Sequence, residues 1–297
     1  MAAHGEPSNA VDVEDPKLQF VEPDHQAKAE SDGDGEALCG LFVWEKAKDG
    51  HENHLVSVKA AISEMIALWL FVIIGCGTAC SMFADSKLAV CFAFGFGIVV
   101  LAYAIGHHSG GQINCAVTFA LVLAGELNWK QGIFNVFFQI IGSFLGAGTL
   151  AVMFGCDTDQ TQSLGTNKIS EAYGAGAVLV GEMFGTFLLC FVVFQTAVHS
   201  GSQAGHNPPI AIGFAVFLAH TLLLNVDGCS INPTRSIGPA AVGAMRKCGD
   251  TKGLEDLWVF IVGPMLGAAI AAGHHKLWLD VKPALTRLSK ARHHASE

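Results

Sequence analysis

Two short stretches decide the fold of this 297-residue chain: Ser109-Gly110-Gly111-Gln112-Ile113-Asn114-Cys115-Ala116-Val117-Thr118 and Gly228-Cys229-Ser230-Ile231-Asn232-Pro233-Thr234-Arg235-Ser236. Each runs into an apolar segment, residues 114 to 124 and 232 to 243. Both segments are shorter than the ~20 residues a helical membrane crossing takes, and too hydrophobic for water-exposed loops. Non-helical chain is tolerated at membrane depth only where protein buries it or it lines a wet cavity, so the stretches are predicted as re-entrant half-helices. An asparagine stands at each start, where its side-chain oxygen can accept from the first free N–H groups of the helix.

Outward from these lie six apolar segments long enough to span, at about 60 to 83, 88 to 106, 130 to 154, 176 to 198, 208 to 226 and 256 to 279. With 51% hydrophobic and 14% charged residues and a mean hydropathy of +0.44, an ordinary water-soluble globule is excluded. Set against itself at an offset of 118, the chain aligns Glu64 with Glu182, Thr78-Ala79 with Thr196-Ala197, Gly95-Phe96 with Gly213-Phe214, and Ile113-Asn114 with Ile231-Asn232. That is an internal duplication. Three spans per half is an odd number, so the second half enters from the opposite side and the repeat is inverted. The expected fold is an all-α membrane protein of six transmembrane helices plus two re-entrant half-helices, in one domain at 58–280 with halves at about 58–155 and 176–280.

Residues 1 to 55 hold 13 of the 26 acidic residues against four lysines, and the rest of the chain is balanced at 13 against 13. So acidic a segment, poor in groups able to bury apolar surface, reads as a disordered tail over 1–57, either regulatory or merely solvating. Residues 281–297 form a short basic tail suited to anionic headgroups. Eleven Lys and Arg lie in the tails and beside Trp129, against five in the opposite loops, which places both termini in the cytoplasm. Trp129, Trp258 and Trp278 sit at segment ends as interfacial anchors. The N-terminus carries no cleavable signal, so insertion is expected to use internal helices. Of nine cysteines, five fall in apolar segments as small hydrophobes, while Cys156 and Cys248 share a side and permit one bridge. Plasma membrane and vacuolar membrane both stay open as locations.

The chemistry follows from the half-helices. A helix start leaves its first N–H groups unpaired and carries the positive end of the macrodipole, so two facing starts make an electropositive midplane that repels cations, hydronium included. Asn114 and Asn232 can cap these helices while offering amide donors to water, which breaks a continuous proton-conducting chain. Pro233 suits the first helical position because it has no N–H to orphan. Glu64 and Glu182, costly inside spans, are expected to accept hydrogen bonds from the loops beside the half-helices. Arg235 next to a helix start is doubly unfavourable unless it lines a wet cavity.

Over about residues 58 to 280 these features, together with Gly263-Pro264, make the chain resemble the aquaporin, or major intrinsic protein, family, in particular its water-selective branch. The resemblance implies a homotetramer with a pore in every protomer, and two Asn-led triplets at the centre, here Asn114-Cys115-Ala116 and Asn232-Pro233-Thr234. Cys115 and Thr234 depart from the family's Pro and Ala, and Cys115 is expected to loosen the first half-helix. By the family's spacing the narrowest ring falls on Phe94, His220, Cys229 and Arg235, with Cys229 the thiol where mercurials block. Such a ring leaves room for one water and should hold back glycerol. His107 and His108, ahead of the first half-helix, are candidates for gating by protonation.

The expected function is passive water permeation driven by osmotic gradients, excluding protons and ions, in a lipid bilayer. No enzyme chemistry, metal, cofactor or nucleic-acid partner is expected. Cys115, Thr234 and Ile261 leave open a broader channel for ammonia, hydrogen peroxide or small polyols. A coupled secondary transporter, which also uses inverted repeats, is a further reading.

Overall fold

The structure, a computed structural model, describes residues 56–81, 86–199 and 201–294. The acidic segment 1–55 lies outside the described residues, as do 82–85 at the end expected for the first span. The order is α1 (Val58–Cys80), α2 (Lys87–Ser109), α3 (Cys115–Ala124), α4 (Trp129–Met153), α5 (Ala175–Val193), α6 (Pro208–Asp227), α7 (Pro233–Ala244), α8 (Lys252–Glu255) and α9 (Leu257–His294), with a π-helical turn at Phe194–Val198 continuing α5. Six stretches are long and apolar enough to cross a bilayer: 58–80, 87–109, 129–153, 175–198, 208–227 and 252–277. Helix α9 runs on to His294, so most of the segment expected as a C-terminal tail is helical.

Local chemistry sets the ends. Ser57 caps α1 through Ala60 N–H at 3.2 Å, and Asn128 caps α4 through Lys130 N–H at 2.9 Å. Pro208 opens α6, where a missing N–H is harmless. Gly110 and Gly228 end α2 and α6 at φ 89° and 82°, a left-handed conformation that lets the chain turn back into the protein.

Packing repeats the duplication. Helix α1 lies against α4 and α2, and α5 lies against α9 and α6, while the half-helices α3 and α7 are enclosed between the halves. Gly142 and Gly146 let α4 approach α1 so closely that a Cβ at either would collide with Met65 or Val72; Gly263 and Gly267 do the same for α9 against Glu182 and Met183 of α5. These four glycines therefore pack within the protomer. The outer faces carry Ile62, Ile66, Leu70 and Ile74 along α1 and Phe214, Leu218 and Leu222 along α6, all exposed. Apolar stripes of that length are what a hydrocarbon environment receives.

A pore between facing half-helices

The segments Gly110–Asn114 and Gly228–Asn232 run non-helically to the starts of α3 and α7. Both loops place isoleucine in the left-handed region, Ile113 at φ 52° and Ile231 at φ 45°, which a β-branched residue rarely adopts. The buried glutamates hold them there. Glu64 accepts from Gln112 N–H at 2.9 Å and Ile113 N–H at 2.6 Å, and Glu182 accepts from Ser230 N–H at 2.7 Å and Ile231 N–H at 2.6 Å. This is the structural role expected of two carboxylates inside spans. Glu64 has two further donors, Ser109 Oγ at 2.6 Å and Gln139 Nε2 at 2.9 Å.

The correspondence extends to residues that the sequence comparison passed over. Ser109 Oγ accepts from Gly111 N–H at 3.1 Å, and its partner in the repeat, Asp227, accepts from Cys229 N–H through Oδ1 at 2.7 Å. Thr118 Oγ1 meets Gln112 Oε1 at 3.0 Å, and Ser236 Oγ meets Ser230 Oγ at 2.7 Å. Serine, threonine, aspartate and glutamine thus perform equivalent tasks in the two halves, a likeness of hydrogen-bonding role that letter identity hides.

The half-helix starts meet through crossed amides. Asn114 caps α3 through Ala116 N–H at 2.8 Å and donates from Nδ2 to the carbonyl of Ile231 at 2.8 Å. Asn232 caps α7 through Arg235 N–H at 3.2 Å and donates from Nδ2 to the carbonyl of Ile113 at 2.8 Å. The expectation that both amides turn their donors into the lumen is therefore modified: one hydrogen of each NH₂ ties the opposite loop, and the second remains for the cavity. A cavity on the side of Val58 is lined by both asparagines, by Gly110, Gln112 and Ile231, and by His220 at its far end.

Beyond His220 a second cavity is lined by Phe94, Arg235, Thr161 and Gly228. Between the cavities the expected ring assembles. The Phe94 and His220 rings stack 4.4 Å apart, and the Arg235 guanidinium lies over Phe94 at 4.9 Å. His220 Nδ1 contacts the carbonyl of Val216 at 2.8 Å, which leaves Nε2 as the nitrogen without a protein partner. Cys229 is buried, as Phe94, His220 and Arg235 are.

Arg235 is held by a segment that sequence reasoning left as a plain loop. Its Nη1 donates to Asn167 Oδ1 at 2.6 Å and to the Gly165 carbonyl at 3.1 Å. Asn167 in turn accepts from Ser236 Oγ at 2.7 Å and donates to the Asp227 carbonyl at 3.3 Å. The loop is pinned by an Arg246–Asp159 ion pair, by Thr161 and Leu164 N–H on Asp159 at 2.9 Å each, and by a Cys156–Cys248 disulfide, the one bridge the sequence permitted. Burial would raise the Asp159 carboxyl, but the bonds from Thr161, Leu164 and Arg246 outweigh it and hold it below the usual aspartate range. The turn-forming run Asp159-Gln160-Thr161-Gln162-Ser163-Leu164-Gly165-Thr166-Asn167 was the available signal.

His107 and His108 stand at the other end, their rings 3.7 Å apart and outside the first cavity's lining. Cys115, expected to loosen α3, donates its N–H to Thr234 Oγ1 at 3.2 Å.

An inverted repeat whose two half-helices join end to end beside a narrow passage defines a membrane channel of the six-span, two-half-helix class. The family model for major intrinsic proteins matches residues 52–275, and the chain belongs to that family. Relatives include Aquaporin PIP1-3 of Arabidopsis thaliana, 36% identical over 240 residues, covering 77% of this chain and 82% of that protein. Probable aquaporin PIP2-8 of Oryza sativa subsp. japonica is 37% identical over 227 residues, covering 73% and 80%. Among solved structures, the X-ray structure of the aquaglyceroporin from Plasmodium falciparum has a TM-score of 0.67 at 18% identity and covers 74% of this chain and 95% of that one, a likeness of fold alone.

Proposed function

We propose that this protein is a passive water channel, driven by osmotic gradients and closed to protons and ions. The observation that carries this reading is the crossed pairing of Asn114 and Asn232 at the joined starts of α3 and α7. Each amide retains one hydrogen for a passing oxygen, and a water that accepts from both must turn its own hydrogens outward, so neighbouring waters cannot relay a proton through it. The two helix starts add positive potential at the same place. Arg235, fixed beside Phe94 and His220, adds a full charge at that ring.

The aromatic pair supports selection by size. With Phe94 against His220, a carbon-bearing solute has little room, whereas water exchanges its lost hydration for polar groups on one wall. Stopped-flow shrinkage of proteoliposomes under sucrose, repeated with glycerol, tests the reading. Fast water loss with glycerol close to protein-free vesicles is expected; equal rates for the two solutes would overturn water selectivity.

The homotetramer, the cytoplasmic placement of both termini and the choice between plasma and vacuolar membrane belong to this proposal. The excess of Lys and Arg in the terminal segments supports the orientation. The family supports assembly.

A further inference from the structure

The two residues that depart from the family's triplets are in contact. Cys115 opens α3, so its backbone N–H is one of the donors a helix start leaves without an internal partner. It donates to Thr234 Oγ1 at 3.2 Å, across the joint between the half-helices. A proline at 115 would have no such hydrogen, and an alanine at 234 would have no such acceptor. The repeat partners of Cys115 and Thr234, counted at the offset of 118, are Pro233 and Ala116, which supply neither. One of the two related positions is therefore polar and the other is not.

Thr234 does more than accept. Its Oγ1 lies 2.7 Å from Asn232 Oδ1 and 3.4 Å from Gln139 Oε1, and its single proton goes to the nearer oxygen. That donation joins the Arg235 N–H on Asn232 Oδ1, so two donors mark the oxygen end of the amide and keep Nδ2 on the Ile113 carbonyl. Thr234 is wholly buried and Cys115 nearly so.

We propose that Cys115 and Thr234 are a matched pair of positioning residues: their hydrogen bond joins the starts of α3 and α7 and orients the Asn232 amide toward the permeant. The proposal rests on the water-channel reading and refines its central site. The pair replaces a Pro–Ala contact by a polar one, and the Cys115 N–H keeps this partner only while residue 234 carries a hydroxyl. A proline at 115 alone would set its ring Cδ against the Thr234 hydroxyl, where the N–H now points.

The test is a double-mutant cycle in proteoliposomes reconstituted at equal protein content, using Cys115→Pro, Thr234→Ala and the double variant. Thr234→Ser and Thr234→Val separate hydroxyl from shape. Three quantities are read: water permeability per channel, its activation energy, and the rate at which an imposed pH gradient decays. A fold-level defect changes the number of working channels and leaves the activation energy alone, whereas a misoriented amide raises it.

Thr234→Ala and Thr234→Val leave the buried Cys115 N–H unpaired and are expected to lower water permeability about fivefold, the factor that ~1 kcal/mol corresponds to, with a higher activation energy and faster proton leak; Cys115→Pro, which sets its ring Cδ against the Thr234 hydroxyl, is expected to lower permeability as much. Thr234→Ser should match the parent, and the double variant should fall no further than Thr234→Ala alone, well short of the roughly 25-fold loss that two independent fivefold effects would give. Effects that simply add in the double variant, or single variants that are both silent, would overturn the pair. Should a single variant not fold, thermal unfolding of the purified double variant decides: stability near the parent supports the pair, and a loss as large as an unfolded single variant implies overturns it. A parent protein no faster than protein-free vesicles would instead overturn the water-channel reading, so the two failures are distinct.

Discussion

Asn167 holds Arg235: its Oδ1 accepts from Nη1 of the guanidinium at 2.6 Å, from a loop 68 residues earlier in the chain. The filter's cation is thus aimed by a segment that belongs to neither half-helix. Replacing Asn167 by Ala removes a hydrogen bond to a charged group, worth about 1.5–3 kcal/mol, and frees Arg235 to swing. The expected outcome is a water-to-glycerol permeability ratio lowered several-fold, measured by stopped-flow on the same vesicles, with Asn167→Asp retaining more of the ratio because it keeps the acceptor.

The glutamates should differ in weight. Glu64 accepts four hydrogen bonds and Glu182 two, and in each case a left-handed isoleucine depends on them. Truncating either leaves buried N–H groups unpaired, and Glu64→Ala should cost at least about 3 kcal/mol, more than Glu182→Ala. Thermal unfolding of the detergent-solubilised proteins ranks them; the reverse order would show that loop strain, not bond number, sets the loss.

His220 closes the ring against Phe94 at 4.4 Å. His220→Gly opens that wall without touching the asparagines or Arg235's contacts to Gly165 and Asn167. Glycerol flux should rise well above the protein-free level while water flux is kept. Unchanged glycerol exclusion would place the size limit elsewhere.

The clasp that carries Asn167 should ignore mild acid. Asp159 is held below the usual aspartate range, so the stability it lends is complete above about pH 4, the ordinary value for an unpaired aspartate, and is lost only as pH falls through its still lower folded value. His107 and His108 lie off the cavity lining. Permeability should therefore be flat between about pH 5 and 8, the range in which histidines titrate. A step in that range, absent from the His107→Ala/His108→Ala double variant, would restore histidine gating at the inner end.

How much was legible depends on whether a residue's role is local or distant. The spans were readable within a few residues at most ends, because a 20-residue apolar run has one physical use. The half-helices, their asparagine caps and the inversion followed from length, capping chemistry and an odd number of spans. The ring residues Phe94, His220 and Arg235 came from family spacing, and the structure brings all three together.

What the sequence determined by itself was the frame: an apolar chain duplicated and inverted, with two helix starts sent to the same depth. These properties are periodic or local, and periodicity and local capping are written along the chain. What only the tertiary structure decided was which groups meet across that frame. Asn167 on Arg235, the crossed amides, and Thr234 on the Cys115 N–H all join residues between 68 and 119 positions apart, where polar groups buried at membrane depth must find partners and no periodic pattern names them.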